Sequence, residues 1–175
     1  MGRGRIVWVA VVAVMAVMVL PRGVLAEAPA WCGTYELDEE ASGELEQAFE
    51  PAIKELSRLR RPFARRKVRR QDGPDDELVI AVGDERITIQ YGESNPLILP
   101  LDGEEVDYEH RNGDVARVRG EFANGALVTH SIREGVNYTA TYQVSEQGEL
   151  TVMLVLEIDR LPKEVEYRLV YRRRQ

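Results

Sequence analysis

The 175-residue chain has one cysteine, Cys32, so no disulfide can form within it. Histidine is nearly as scarce. His110 and His130 are the only two, and no His-x-x-x-His or Cys-x-x-Cys spacing accompanies them. Zinc or haem iron needs more nitrogen or sulfur donors than that pair supplies, so no metal is expected. A phosphate-cradling glycine-rich loop and a zincin motif are missing. Ser42, Ser57, Ser94, Ser131 and Ser145 lack a nucleophile-elbow context. The acidic clusters at 72–77 and 102–107 do not match an EF-hand. These gaps leave no catalytic set and no implied cofactor, and the reading leans away from an enzyme.

Long apolar runs are also missing, with one exception at the start. Residues 6–20, IVWVAVVAVMAVMVL, follow Arg3 and Arg5; Pro21 ends the run, and VLA at 24–26 forms a small-x-small cleavage pattern. The run falls short of the roughly 20 residues that span a bilayer. It reads as a signal peptide over 1–26, with an uncleaved anchor helix as the alternative, and predicts a periplasmic or secreted protein. Trp31 precedes Cys32 where lipoprotein signals place small residues, which argues against lipidation. The signal holds three of the 23 Lys and Arg and none of the 30 Asp and Glu, so residues 27–175 carry a net charge of −10. That balance argues against general nucleic-acid binding. The remaining 149 residues suit one domain, with no membrane span after cleavage.

What is present is a change of period. Within residues 40–70, Leu45, Ala48, Phe49, Ala52, Ile53, Leu56, Leu59 and Phe63 recur at helical spacing. Pro51 and Pro62 fit the first turn of a new helix, so two or three short helices on one apolar seam are predicted. Beyond the turn-rich RRQDGPDDE at 69–77, the period becomes two. Strands are predicted at 77–82, 86–91, 97–101, 104–111, 114–122, 126–133, 136–145, 149–159 and 164–173, with WCGTYEL at 31–37 as the first. Pairs such as Asp102-Gly103, Asn112-Gly113 and Asn124-Gly125 separate them, as hairpins require. The expected fold is mainly β: an antiparallel up-and-down meander barrel or half-barrel of about 8–10 strands, with a helical insert between strands 1 and 2.

Alternation assigns the faces. Tyr91, Tyr108, His110, His130, Tyr138, Tyr142, Tyr167 and Tyr171 share the apolar parity of their segments and are expected inside the barrel. A tyrosine wall offers apolar bulk and hydroxyls to a small hydrophobic or amphipathic ligand. It equally suits a filled core in which Tyr and His satisfy one another. Leu127, Met153, Val155 and Val170 fall on the wet parity. The arginine-dense stretch at 58–70 contributes Arg58, Arg61, Arg65, Arg66 and Arg69. These form either a surface for an anionic lipid or envelope partner, or a solvated helix end suited to the helix dipole.

The order strand, helical insert, long meander resembles the calycin superfamily, the lipocalin-like and fatty-acid-binding-protein-like barrels. GTYEL at 33–37 looks like the Gly-x-Trp opening strand of lipocalins, with Tyr35 for tryptophan. YRLVYRRR at 167–174 looks like their arginine- and tyrosine-bearing last strand. The chain is similar, too, to secreted bacterial lipocalin-like domains. The resemblance implies two helices lidding a barrel that carries a small hydrophobic molecule. One departure matters. The fatty-acid binders hold a carboxylate with Arg-x-Tyr in the last strand. Here Leu169 stands two before Tyr171, so that anion site is not carried over. The alternative function is an envelope interaction protein that uses the arginine face, with the barrel as a scaffold.

Overall fold

The computed structural model describes residues 31–69, 74–110 and 112–174. The expected signal at 1–26 lies outside them. β1 (Gly33–Leu37) leads into helices α1 (Leu45–Glu55) and α2 (Arg61–Val68). Nine strands follow: β2 (Glu77–Val82), β3 (Arg86–Tyr91), β4 (Leu97–Pro100), β5 (Val106–Glu109), β6 (Val115–Ala123), β7 (Ala126–Arg133), β8 (Val136–Val144), β9 (Leu150–Ile158) and β10 (Val165–Arg173).

The strands form one antiparallel sheet in the order β4-β3-β2-β1-β10-β9-β8-β7-β6-β5. Every neighbouring pair except β1–β10 is a sequential hairpin, or, for β1–β2, a pair interrupted by the helices. The sheet curls into a nearly closed barrel because one face is apolar throughout and must be hidden from water. β4 and β5 are its two edges. Leu99 of β4 reaches across to β6, where a Cβ at Gly120 would lie 2.8 Å from the Leu99 Cδ1. Glycine there lets a side chain, in place of a hydrogen-bond ladder, close that part of the seam.

α1 buries Phe49, Ala52 and Ile53 together with Val68 of α2 and Val165 of β10. Leu156, Ile158 and Leu161 pack around them, so the helices cover one end of the barrel. Pro62 stands in the first turn of α2 as expected, whereas Pro51 lies inside α1 instead of starting a helix. The missing N–H falls on an exposed side of α1, where water can serve the carbonyl it leaves. The predicted seam also breaks. The turn at 56–60 resets the helical phase, and Leu59 and Phe63 are 84% and 75% exposed.

The parity expected for β7 is inverted. Leu127, Thr129 and Ser131 are buried and face inward, whereas His130 is only half-buried and Ile132 is exposed. The turns impose this. Asn124 and Gly125 both take positive φ, 53° and 77°, the geometry of a two-residue hairpin. That turn pairs Ala123 with Ala126 and therefore Phe122 with Leu127. The Glu134-Gly135 turn likewise pairs Tyr138 with Ser131 and Ile132 with Asn137. Residues opposite one another share a face, so the apolar parity of β7 yields to its two partners.

Candidate ligand-binding interior

The inner face divides into two levels along the barrel axis. The lower level lies toward the turns at 83–85 and 124–125. There Tyr35, Ile87, Leu99, Leu127, Leu150 and Val152 are essentially inaccessible. Trp31 plugs this end, edge-to-face with Phe122 at 5.7 Å between ring centroids. Its carbonyl accepts the Tyr35 hydroxyl at 3.1 Å. Arg173 lies over the Tyr35 ring, 6.0 Å from its centroid, and donates to the Cys32 carbonyl. A Cβ at Gly33 would meet its guanidinium at 2.8 Å, which explains glycine at the head of β1.

The upper level lies under the helices and the turns at 92–96, 112–114 and 134–135. Here Tyr91, Tyr108, Tyr138, Leu154 and Leu156 occupy inward positions but are only half-buried. Protein surrounds Tyr91 and Tyr138 closely, yet both keep accessible surface. Both pack against the main core cluster and keep part of their surface accessible.

Several polar groups lie at this level. The Tyr91 hydroxyl donates to the Tyr142 hydroxyl at 2.8 Å. Burial raises the pKa of both, and at Tyr142 the hydrogen bonds with Tyr91 and Thr129 work against burial. Burial also raises Tyr138, with the neighbouring Ser131 hydroxyl pulling the other way. Ser131 Oγ is buried beside it, opposite Tyr138 in the β7–β8 ladder. His110 stacks edge-to-face on Tyr108 at 4.8 Å, and its Nε2 is buried without a partner. Burial lowers the His110 pKa, Arg133 adds to that, and Asp114 opposes it. The phenols of Tyr91, Tyr138 and Tyr142 and the His110 imidazole are thus all held toward their neutral forms.

Of the residues expected inside, Tyr91, Tyr108, Tyr138, Tyr142, Tyr167 and Tyr171 take inward register positions. Tyr108 and Tyr171 also anchor loops through the Asn95 and Asp75 carbonyls, at 2.9 and 3.2 Å. His130 does not join them. It lies on the outer face of β7 with Nδ1 3.1 Å from Thr139 Oγ1, because the turns reverse that strand. Alternation alone missed Thr129, Ser131 and Arg133, which take the inward positions instead. Counting outward from the two glycine-bearing turns would have found them.

The arginines are divided in use. Arg61 donates to the Leu56 and Lys54 carbonyls at 3.0 and 2.5 Å and closes the end of α1. Arg65 pairs with both carboxylate oxygens of Glu50 at 2.6 and 2.9 Å, and Arg69 reaches Glu46 at 3.0 Å. These three tie α2 to α1. Arg58 and Arg66 are exposed, as is Arg60, and they flank Leu59 and Phe63. A groove of about 800 Å³ runs between the 39–50 segment, Val68 and Pro74, with Tyr167 in its wall.

No protein-family model matches the sequence, and no curated protein does. Solved structures do match in shape. A secretory abundant heat soluble protein from Ramazzottius varieornatus superposes with a TM-score of 0.58 at 16% identity, over 83% of this chain and 96% of that one. Fluorescent protein UnaG gives 0.55 at 16% identity, over 84% and 99%. Fatty-acid-binding protein 1 of Echinococcus granulosus gives 0.53 at 12% identity, over 84% and 99%. The chain has the calycin fold. In this calycin barrel the two helices stand between β1 and β2 as the resemblance implied, and the last strand lacks the inward arginine two before Tyr171.

Proposed function

We propose that this calycin barrel is an exported protein that binds or carries a small hydrophobic or amphipathic molecule in the upper level of its interior. The observation that carries the reading is the half-buried inner wall of Tyr91, Tyr138, Leu154 and Leu156. Inward aromatic and aliphatic side chains that keep part of their surface accessible are what a small-molecule site offers. Solved structures of the same fold include a fatty acid transporter and a fatty-acid-binding protein, which agrees with it. A groove with Tyr167 in its wall lies beside α1. Export rests on the leader-like residues 1–26 alone.

The test is titration of the protein with Nile red, a neutral dye whose emission rises in apolar surroundings, together with native mass spectrometry of protein purified from its own host. Saturable dye binding lost on filling the upper level supports the reading. A dye that never binds, with no retained small molecule, sinks it.

A second reading concerns the lid. Leu59 and Phe63 project into solvent beside Arg58, Arg60 and Arg66, apolar anchors within a cationic rim on an otherwise acidic chain. That combination suits an anionic lipid surface of the cell envelope. Co-sedimentation with phosphatidylglycerol vesicles, lost in the Leu59→Ser/Phe63→Ser variant and at high salt, supports it. Equal binding to neutral vesicles, or none, counts against it.

A further inference from the structure

The outer face of the sheet carries a charge pattern that neither the fold nor the interior uses. The outward positions of β7, β8 and β9 hold one carboxylate, Glu157, and no lysine or arginine. Two neighbouring rungs cross the middle of this face. The strand register runs the first through Arg119, His130, Thr139, Val155 and Glu166. It runs the second through Glu121, Val128, Thr141, Met153 and Arg168. Residues opposite one another share a face, so each rung sets three uncharged side chains between two opposite charges.

The two rungs carry their charges in opposite order. β6 presents Arg119 and then Glu121, and β10 presents Glu166 and then Arg168. Positive and negative therefore alternate around the corners of a rectangle, about 19 Å wide across five strands and about 7 Å high. All four side chains are exposed, and none finds an ion pair or hydrogen bond among the described residues. Other arginines of the same strands are spent within the chain: Arg117 pairs with Glu105 and Arg172 with Asp38. Toward the centre, Ile132 and Met153 are 45% and 36% exposed.

A rectangle of alternating charge is its own complement. A twofold axis lying in the face, along the strands or across them, sets every arginine of one copy over a glutamate of the other. A uniformly acidic or basic partner would meet two like charges for every two opposite ones. Thr139 and Thr141 are short, which lets two outward-curving faces approach at the middle. The longer corner side chains reach into the gap that curvature opens toward the edges. We propose that this face of β6–β10 is the contact surface for a second copy of this chain, in a symmetric dimer with four Arg–Glu pairs around an uncharged centre. The patch is small beside a standard interface, so the dimer is a weak one, with a Kd on the order of 10–100 µM. This holds whatever the interior of the barrel carries.

Sedimentation equilibrium on the wild-type protein and two charge-reversed variants tests it. Arg119→Glu/Arg168→Glu makes all four corners acidic, and Glu121→Arg/Glu166→Arg makes all four basic. Each is expected to weaken self-association about tenfold or more. The two variants move net charge in opposite directions, so loss in both does not come from overall repulsion. An equimolar mixture of them should restore dimerisation to within about threefold of wild type, as a heterodimer that native mass spectrometry resolves by mass. Thr141→Arg leaves the corners intact and brings like charges together near the axis, so it should weaken self-association by about tenfold as well. Wild-type protein still monomeric at about 500 µM overturns the proposal. Association that survives in both reversed variants overturns it too, as does a mixture that associates no better than its components. Should a reversed variant fail to fold by circular dichroism, Thr141→Arg decides, and unchanged association there overturns the dimer.

Discussion

The lower and upper levels of this barrel are built from the same strands by the same alternation, and they end differently. Below, large inward side chains meet in the middle: Leu99 crosses to Gly120, Trp31 meets Phe122, and Tyr35 is locked between a carbonyl and a guanidinium. Above, Tyr91, Tyr138, Leu154 and Leu156 keep part of their surface accessible. The lower level gives the fold its cohesion. The upper one holds the half-buried inward side chains and the helices that cover that end. One curved sheet can serve both needs because each strand passes through both levels and is anchored in the first.

The sharpest way to break this contrast is a matched pair of truncations. Leu99→Ala should lower unfolding stability by about 2–5 kcal/mol, since a fully buried leucine leaves a cavity. Leu156→Ala, in the upper level, should cost less, about 1–2 kcal/mol, because that side chain is only half-buried where it packs against the helices. Urea denaturation midpoints compare them, and equal costs would erase the distinction. Next in size, Tyr142→Phe strips the acceptor from the Tyr91 hydroxyl at the boundary between levels and should cost about 1–2 kcal/mol in the same assay. Smaller in stability but decisive for binding, Leu154→Phe should shift stability by less than about 1 kcal/mol while reducing Nile red affinity tenfold or more.

The smallest effect is in pH. Burial raises the phenols Tyr91, Tyr142 and Tyr171, so in the folded state they stay neutral where the unfolded chain ionises. Their contribution is complete below about pH 10 and is lost as pH rises beyond it. The ultraviolet signal of phenolate should then appear together with unfolding. His110 acts in the opposite sense. Its pKa is lowered, so its contribution is present above about pH 6.5 and fades as pH falls. His110→Gln should flatten the acid limb of the stability profile measured by urea midpoints, and leave the alkaline limb alone.

Much of this was legible in the residues. Period-two runs separated by glycine-bearing turns placed the strands, and a helical period between the first two placed the lid. The tyrosines of β3, β5, β8 and β10 were readable because each stands on a strand whose apolar parity is also its inner parity. β7 was not, because Val128, His130 and Ile132 outweigh Leu127, Thr129 and Ser131 in apolar character, yet the turns at either end decide which set faces in. Hairpin geometry outranks side-chain preference when a strand is pinned at both ends. Leu59 and Phe63 were misplaced for a related reason. A periodic pattern that runs through a turn looks continuous in sequence and loses its phase in space. The division into filled and open levels depends on how far side chains from facing walls reach, which no single strand records.

β10 pairs with β1 on one side and β9 on the other, and β4 and β5 share no ladder. The sheet is thus two panels, β1–β4 and β5–β9, linked along the chain by residues 101–105 but joined by backbone hydrogen bonds through β10 alone. A ribosome delivers that fastener after both panels, so neither can be locked into a barrel while the chain is still emerging. Until then the molecule is a pair of unjoined ribbons with raw margins, and a chaperone that recognises such margins would see a different object before and after β10 arrives.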